Sequence, residues 1–305
     1  MAGFVYRRRQ YLEMEENRIK GLCNQMKKGS CFLVGLGLFQ GILGDSIHAD
    51  FPQCNERRVI DSSECTIDSI GAEQIEAYAF NKCGLPFVAI SPEVKRIGEY
   101  AFLDCYNLKY ITLPVKLAEI GEGAFMCCSA LEKINLPLGI KTISPSLFTG
   151  CSSLIDAKIP QTVTNIGEAA FSKCYSLSQI LIPSNVLTIG RSAFSKCRNL
   201  KSLVFEQGVS EIGEAAFAEC VKLERVVLPS SIKFIGKYAF YGCTNLKRIE
   251  FLGKPPQTPP MPSILLETPR DLEVFVHGQS RWWEEDLGEW PKDRENGRRK
   301  LVILP

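Results

Sequence analysis

Eight of the thirteen cysteines in this 305-residue chain stand on a ladder. Cys83 comes first, Cys105 follows 22 residues later, and Cys128, Cys151, Cys174, Cys197, Cys220 and Cys243 follow at intervals of 23. A thiol can attack an acyl carbon, ligate zinc or close a disulfide, and each use leaves its own spacing in a sequence. No Cys-x-x-Cys pair occurs, and Cys127 and Cys128 are sequential residues pointing different ways, so no metal site is expected. A thiol or hydroxyl nucleophile also needs a histidine within reach. The chain has two, His48 and His277. His48 falls in a stretch expected to be removed. His277 has no nucleophile motif around it and reads as a surface histidine. Glu99, Glu122, Glu168 and Glu214 recur at one position of the period, as a solvated ridge does and a catalytic pair does not. The expectation is no enzyme, no catalytic residue, no cofactor and no metal. A hydrolase in the C-terminal segment would depend on His277 or on Glu284, Glu285 and Asp286, which suit the flank of a helix better than acid–base work.

What positions the ladder is a repeated unit. Ile120-Gly121, Ala124-Phe125, Cys128, Leu131, Ile134 and Leu136-Pro137 are matched by Ile166-Gly167, Ala170-Phe171, Cys174, Leu177, Ile180 and Ile182-Pro183. A fixed period of this length means one supersecondary unit stacked on copies of itself. The Ile-x-Leu end of each unit alternates as a strand does, with Leu108, Ile111 and Leu113 directed inward. Proline follows in most units, at Pro92, Pro114, Pro137, Pro160, Pro183 and Pro229, and ends the ladder because it has no N–H. Glu206 and Leu252 replace it in two units, where the strand is expected to run on. The Ile-Gly pair predicts a turn with positive φ or a close backbone approach, although Glu76 and Ser144 fill the glycine slot in two units. The phenylalanines from Phe80 to Phe240 predict a stacked aromatic spine. Successive strands pair in parallel about 4.8 Å apart. No unit can bury its apolar face alone, so the array needs caps.

The period, the Ala-Phe-x-x-Cys-x-x-Leu-x-x-Ile-x-Leu-Pro string and the Ile-Gly turn resemble the BspA-type leucine-rich repeats, which occur mainly in exported or surface proteins of bacteria and in some protists. The resemblance is strong over residues 75 to about 253. It is weaker beyond, where Phe251-Leu252-Gly253 is followed by Pro255-Pro256 and a strand expected over residues 272–276. In the family a Pro-Pro linker, a final strand and a tryptophan-containing helix often close the array, and Trp282, Trp283 and Trp290 fit that place. The resemblance implies a leucine-rich-repeat solenoid: a right-handed horseshoe with one parallel sheet, about 23 residues per coil and a cap at each end. It also implies that the ladder cysteines take a slot used elsewhere for a small polar side chain that satisfies turn backbone groups. A reduced, stacked ladder is the expectation. Neighbouring cysteines would also sit near the Cα separation that a disulfide bridges, so cross-linking of adjacent coils stays open. A disulfide between Cys54 and Cys65, ahead of the repeats, is a further alternative.

Composition adds exclusions. The 36 basic and 34 acidic residues give a net charge of +2, with no basic stripe of the kind nucleic acid requires. Arg7-Arg8-Arg9 and Arg298-Arg299-Lys300 read as solvated or processed segments. The apolar run Cys31–Gly44 is too short to span a membrane comfortably but suits the core of a signal peptide. Its Gly35-x-Gly37 has no strand before it and no helix pattern after it, so it is no phosphate loop. Translation is expected to start at Met26, with Lys27-Lys28 as the basic segment and cleavage after Ala49; an uncleaved anchor starting at Met1 is the alternative. The organisation expected is a mis-called leader over 1–25, signal peptide over 26–49, N-terminal cap over 50–74, about eight repeats over 75–253, and a proline-rich linker with C-terminal cap over 254–305. No membrane span remains after cleavage, and the protein is expected in the periplasm, on the cell surface or secreted.

Function then lies on a repeated surface. The outward positions of the strands form two rows, one of Tyr110, Lys133, Asp156, Gln179, Ser202, Arg225 and Arg248, the other of Thr112, Asn135, Lys158, Leu181, Val204, Val227 and Glu250. The second turns apolar over Leu181, Val204 and Val227, and an apolar strip among polar residues is a recognition surface. Arg225 and Arg248 offer charged anchors beside it, with Gln179 and Ser202 adjoining. The competing reading is that β-branched residues there simply form good strands. The sequence thus predicts protein recognition, which the resemblance implies to be adhesion to a host or neighbouring-cell protein. The alternative is a structural envelope scaffold without a discrete partner.

Overall fold

The computed structural model describes residues 65–67, 73–254, 256, 261–277 and 300–304. There the chain winds as a parallel β-solenoid of about nine turns, some 23 residues apart. On one side of the coil the strands Cys65–Ile67, Phe87–Ile90, Tyr110–Thr112, Lys133–Asn135 and Asp156–Lys158 pair in parallel in chain order. Gln179–Ile182 pairs with Ser202–Phe205. Arg225–Leu228, Arg248–Phe251, Glu273–His277 and Lys300–Leu304 complete the side. Burial alternates along these strands, with Ile134, Ile180 and Val226 inward and the flanking side chains outward, as the pleat requires.

Proline sets the end of each strand. Where Glu206 and Leu252 stand instead, their N–H groups donate to the carbonyls of Ile182 at 2.9 Å and Leu228 at 3.1 Å, so the ladder does run one residue further. The first proline is a correction. The register places Phe87 opposite Tyr110 and Ala89 opposite Thr112, so Ser91 lies opposite Pro114, and Pro92 falls one residue later than the other prolines.

A second side carries two-residue strands such as Glu119–Ile120, Asn165–Ile166 and Glu211–Ile212, which also pair in parallel. The expectation of a single sheet is therefore extended by this short second stack. The glycine after each isoleucine is there for close approach and not for positive φ. A Cβ on Gly121 would lie 2.5 Å from the backbone nitrogen of Glu99 on the coil beneath. The Gly121 N–H donates to the Ile97 carbonyl at 2.8 Å. Where Ser144 takes the slot, its hydroxyl donates to the Ile120 carbonyl, the equivalent acceptor.

Positive φ occurs on the third side, twice per coil. One position lies two residues after the glycine, as at Tyr100, Gly123, Ser146, Ala169, Ser192 and Ala215. The other directly precedes the ladder cysteine, as at Asp104, Cys127, Lys173, Lys196 and Glu219. These turns let alternate N–H groups point at the next coil: Tyr100 to the Glu122 carbonyl at 2.8 Å, Phe102 to Ala124 at 2.8 Å, Asp104 to Met126 at 2.9 Å.

The interior is one apolar cluster running from Ile75 to Val276. Its axis is the phenylalanine spine, Phe80 through Phe240, with consecutive ring centroids 5.0–5.9 Å apart and rings nearly parallel in most pairs. Offset stacks of this kind contribute about 0.5–1.5 kcal/mol each beyond their area. Beside the spine run the ladder cysteines, all buried, with no disulfide among those from Cys105 to Cys243. From Cys105 to Cys243 each thiol donates to the carbonyl of the phenylalanine on the preceding coil, at 3.1–3.3 Å. In the same coil that carbonyl accepts the backbone N–H of its own cysteine, as Phe125 does from Cys128 at 3.3 Å. The thiol fills the second acceptor site of a buried carbonyl, which is what a small polar side chain would otherwise do.

At the C-terminal end a helical turn, Met261–Ile264, stands where the next coil's third side would be. Tyr238, Phe240 and Gly242 donate to the carbonyls of Ser263, Ile264 and Leu266 at 2.9–3.1 Å. The strand expected over residues 272–276 runs from Glu273 to His277. The leader, the signal peptide, a Cys54–Cys65 disulfide and the tryptophan-containing helix lie outside the described residues. Among those described, no helix is long and apolar enough to cross a membrane.

Candidate recognition face

The outward rows read from the sequence are brought together by strand register. Gln179 lies opposite Ser202 and Leu181 opposite Val204. Arg225 lies opposite Arg248 and Val227 opposite Glu250. The strand Ser202–Phe205 packs beside Arg225–Leu228, which joins the two pairs into one face. Leu181 and Val204 each keep 48% of their surface exposed, on strands whose inward residues Ile180 and Leu203 are buried. Val227 is half-buried, so the apolar strip narrows toward the C-terminus. Gln179 and Ser202 are exposed.

The rows do not stay open to their end. Glu250 points outward by alternation yet is buried, and so is Phe275, its partner on the next strand. Glu250 is the centre of an ionic cluster. Its Oε2 accepts from Arg248 Nη2 at 2.9 Å and Arg225 Nη2 at 3.2 Å. Its Oε1 accepts from His277 Nε2 at 2.9 Å. The hydrogen bond from His277 is the largest influence holding the Glu250 carboxyl below its ordinary range; burial opposes it, and the two arginines add to it. His277 is thus not a bystander on the surface: it ties the last repeat to the strand that follows it. The Arg248 guanidinium lies 3.6 Å from the Phe275 ring centroid, and among the described residues its buried Nε has no hydrogen-bond partner. Arg225 is left as the exposed member, with 60% of its side chain accessible against 34% for Arg248.

Sequence reasoning missed two parts of this face. Phe87, exposed at its N-terminal end, stacks at 5.6 Å on Tyr110, the first residue of the first row. Phe87 was within reach, because it lies one further period of 23 before Tyr110. Phe275 and His277 were not, because the step from Arg248 to its partner Glu273 is 25 residues and hides them from a 23-residue search. Among the described residues no group of three or more His, Cys, Asp or Glu side chains is placed to hold a metal ion.

Comparison with known proteins bears on the whole array. Residues 73–201 and 164–257, together more than half of the chain, match the BspA type leucine rich repeat region, in six copies. No curated protein matches. Among solved structures, the chain is similar to a leucine-rich repeat protein of T. pallidum at 33% identity, covering 52% of this chain and 74% of that one, with a TM-score of 0.48. It is similar to a leucine-rich cell surface protein of Faecalibacterium prausnitzii at 21% identity, over 70% and 85% of the two chains, with a TM-score of 0.37. The pneumococcal vaccine antigen PcpA is 20% identical over 76% and 71% of the two chains, with a TM-score of 0.42.

Proposed function

The chain belongs to the BspA-type leucine-rich repeat family, and from that premise we propose that it is an exported, non-enzymatic protein that recognises protein partners through the outward face of its longer-stranded side. The observation that carries the reading is the pair Leu181 and Val204. They stand opposite each other in register and half exposed. Across the strands such a pair contributes only about 0.2–1 kcal/mol, and an exposed aliphatic pair among polar neighbours suits a recognition surface. Exposed Arg225 beside it has the composition of an interface anchor. On an exported protein such a face suits adhesion to proteins of a host or neighbouring cell.

The reading has two tests. Native protein from fractionated cells should lie outside the cytoplasm with an intact mass that begins at Asp50; a cytoplasmic chain beginning at Met1 or Met26 would remove the adhesion reading. Val204→Glu should abolish binding of the chain to intact host or neighbouring cells while its unfolding stays cooperative. Unchanged binding would favour an envelope scaffold without a discrete partner.

A further inference from the structure

We propose that Arg225 is an anchor for a carboxylate, so that this face takes a partner segment in which an acidic side chain lies next to aliphatic ones; the proposal rests on the recognition reading above. A guanidinium offers five N–H donors in a rigid planar fork that matches a carboxylate with two parallel bonds. Among the described residues Arg225 uses only Nη2, toward Glu250 Oε2 at 3.2 Å, and 60% of its side chain is exposed. Glu250 does not neutralise it. That one carboxylate is shared with Arg248 and His277, so two fixed positive charges face a single negative one.

The surroundings point the same way. On the repeat side of Arg225 the face consists of Ser202, Val204, Leu181 and Gln179, and none carries a charge. Glu224, next in sequence, is bound to Lys247 at 3.5 Å. Glu273 lies beyond Arg248 in register, one strand further away. Glu250 is held from three sides and fixes the near edge of the Arg225 guanidinium, which lowers the ordering cost of a second carboxylate on the far edge. The aliphatic pair lies on the neighbouring strands, within one or two strand spacings of about 4.8 Å. A partner that satisfies both halves is an extended protein segment with Asp or Glu beside Leu, Ile or Val.

The test is selection of a displayed library of random 12-residue peptides on the full chain, with counter-selection on a Leu181→Ser/Val204→Ser variant of unchanged unfolding transition. The expected result is a retained set rich in Asp or Glu next to aliphatic residues. Their affinity should fall at least tenfold in Arg225→Gln, recover only in part in Arg225→Lys, and fall with rising salt. Face-specific peptides without acidic residues, or affinities unmoved by Arg225→Gln, would overturn the acidic-partner proposal and leave the recognition reading intact. No peptide that distinguishes wild type from the counter-selection variant would overturn both. Binding that appears only after Glu284, Glu285 and Asp286 are changed to amides would make the chain's own acidic segment the occupant and would equally overturn an external one.

Discussion

The thiol of Cys151 donates to the carbonyl of Phe125 on the preceding coil, across 3.1 Å. The bond recurs at each coil from Cys105 to Cys243, so a row of S–H donors is matched to carbonyl acceptors inside the array. Burial pushes Cys128, Cys151, Cys174, Cys197 and Cys220 upward, and Cys243 up to about 12, from an ordinary value of 9.0.

The chain should therefore unfold readily in alkali. A thiol raised in the folded state stabilises the fold fully below the unfolded value of 9.0. That contribution is lost as pH rises past it toward the folded value, at about 1.4 kcal/mol per pH unit for each thiol. Urea midpoints should be flat from pH 6 to 8 and fall steeply above 9. Cys174→Val should make the fall shallower by about one thiol's share; an unchanged slope would refute the linkage. Under native conditions at pH 8, Cys105 to Cys243 should resist iodoacetamide and become labelled only after unfolding, as read by peptide mass.

Phe171 lies in the middle of the spine, 5.2 Å from Phe148 and 5.0 Å from Phe194. Phe171→Ala should cost about 3–5 kcal/mol, because it removes a fully buried ring and leaves a cavity lined by two others. Phe171→Leu should cost less than half of that. Chemical denaturation at pH 7 measures both, and equal costs would mean that loss of the ring itself, and not of volume, sets the penalty.

Gly121→Ala should destabilise by about 2–3 kcal/mol, an overpacking cost against backbone that cannot rotate away. The added methyl would meet the Glu99 nitrogen at 2.5 Å. A urea midpoint within error of wild type would show that the coils can slide apart at no cost.

Glu250 is the hub on which Arg225, Arg248 and His277 converge. Its carboxyl is depressed in the folded state, so its contribution to stability is present above the ordinary carboxylate value and lost as pH falls through the folded one. Hydrogen-exchange protection of the strand Glu273–His277, taken relative to the intrinsic rate at each pH, should fall on acidification before that of the central coils. Glu250→Gln should exchange faster at pH 7 and lose the acid dependence. A strand that exchanges identically in both proteins would show that the cluster does not hold it.

Much of this architecture was legible in the residues. The period, the phenylalanine spine, the stacked cysteine ladder and the alternation of each strand follow from one string of types at fixed spacing. The two positive-φ positions in each coil were not legible. Most are filled by Tyr, Asp, Cys, Ser, Ala, Lys and Glu, and glycine stands there only at Gly123, Gly150 and Gly242, so glycine does not mark the pattern, and the fold imposes the conformation through hydrogen bonds between coils. On the candidate face, the places of Leu181, Val204 and Arg225 in their rows were legible because rows can be read by counting 23. Glu250 was assigned to open surface because alternation gives direction and not cover. Only the strand Glu273–His277, reached by an irregular step, reveals that the row closes.

The even stacking of strands makes the face a ruler. Between the aromatic pair Phe87–Tyr110 and the aliphatic pair Leu181–Val204, the strands from Tyr110 to Gln179 set three steps, roughly 14 Å at about 4.8 Å each. Gain or loss of a whole coil moves these two pairs apart or together by one graduation and changes no chemistry at either. On the proposed recognition reading, copy number alone would set the length of partner that the face fits.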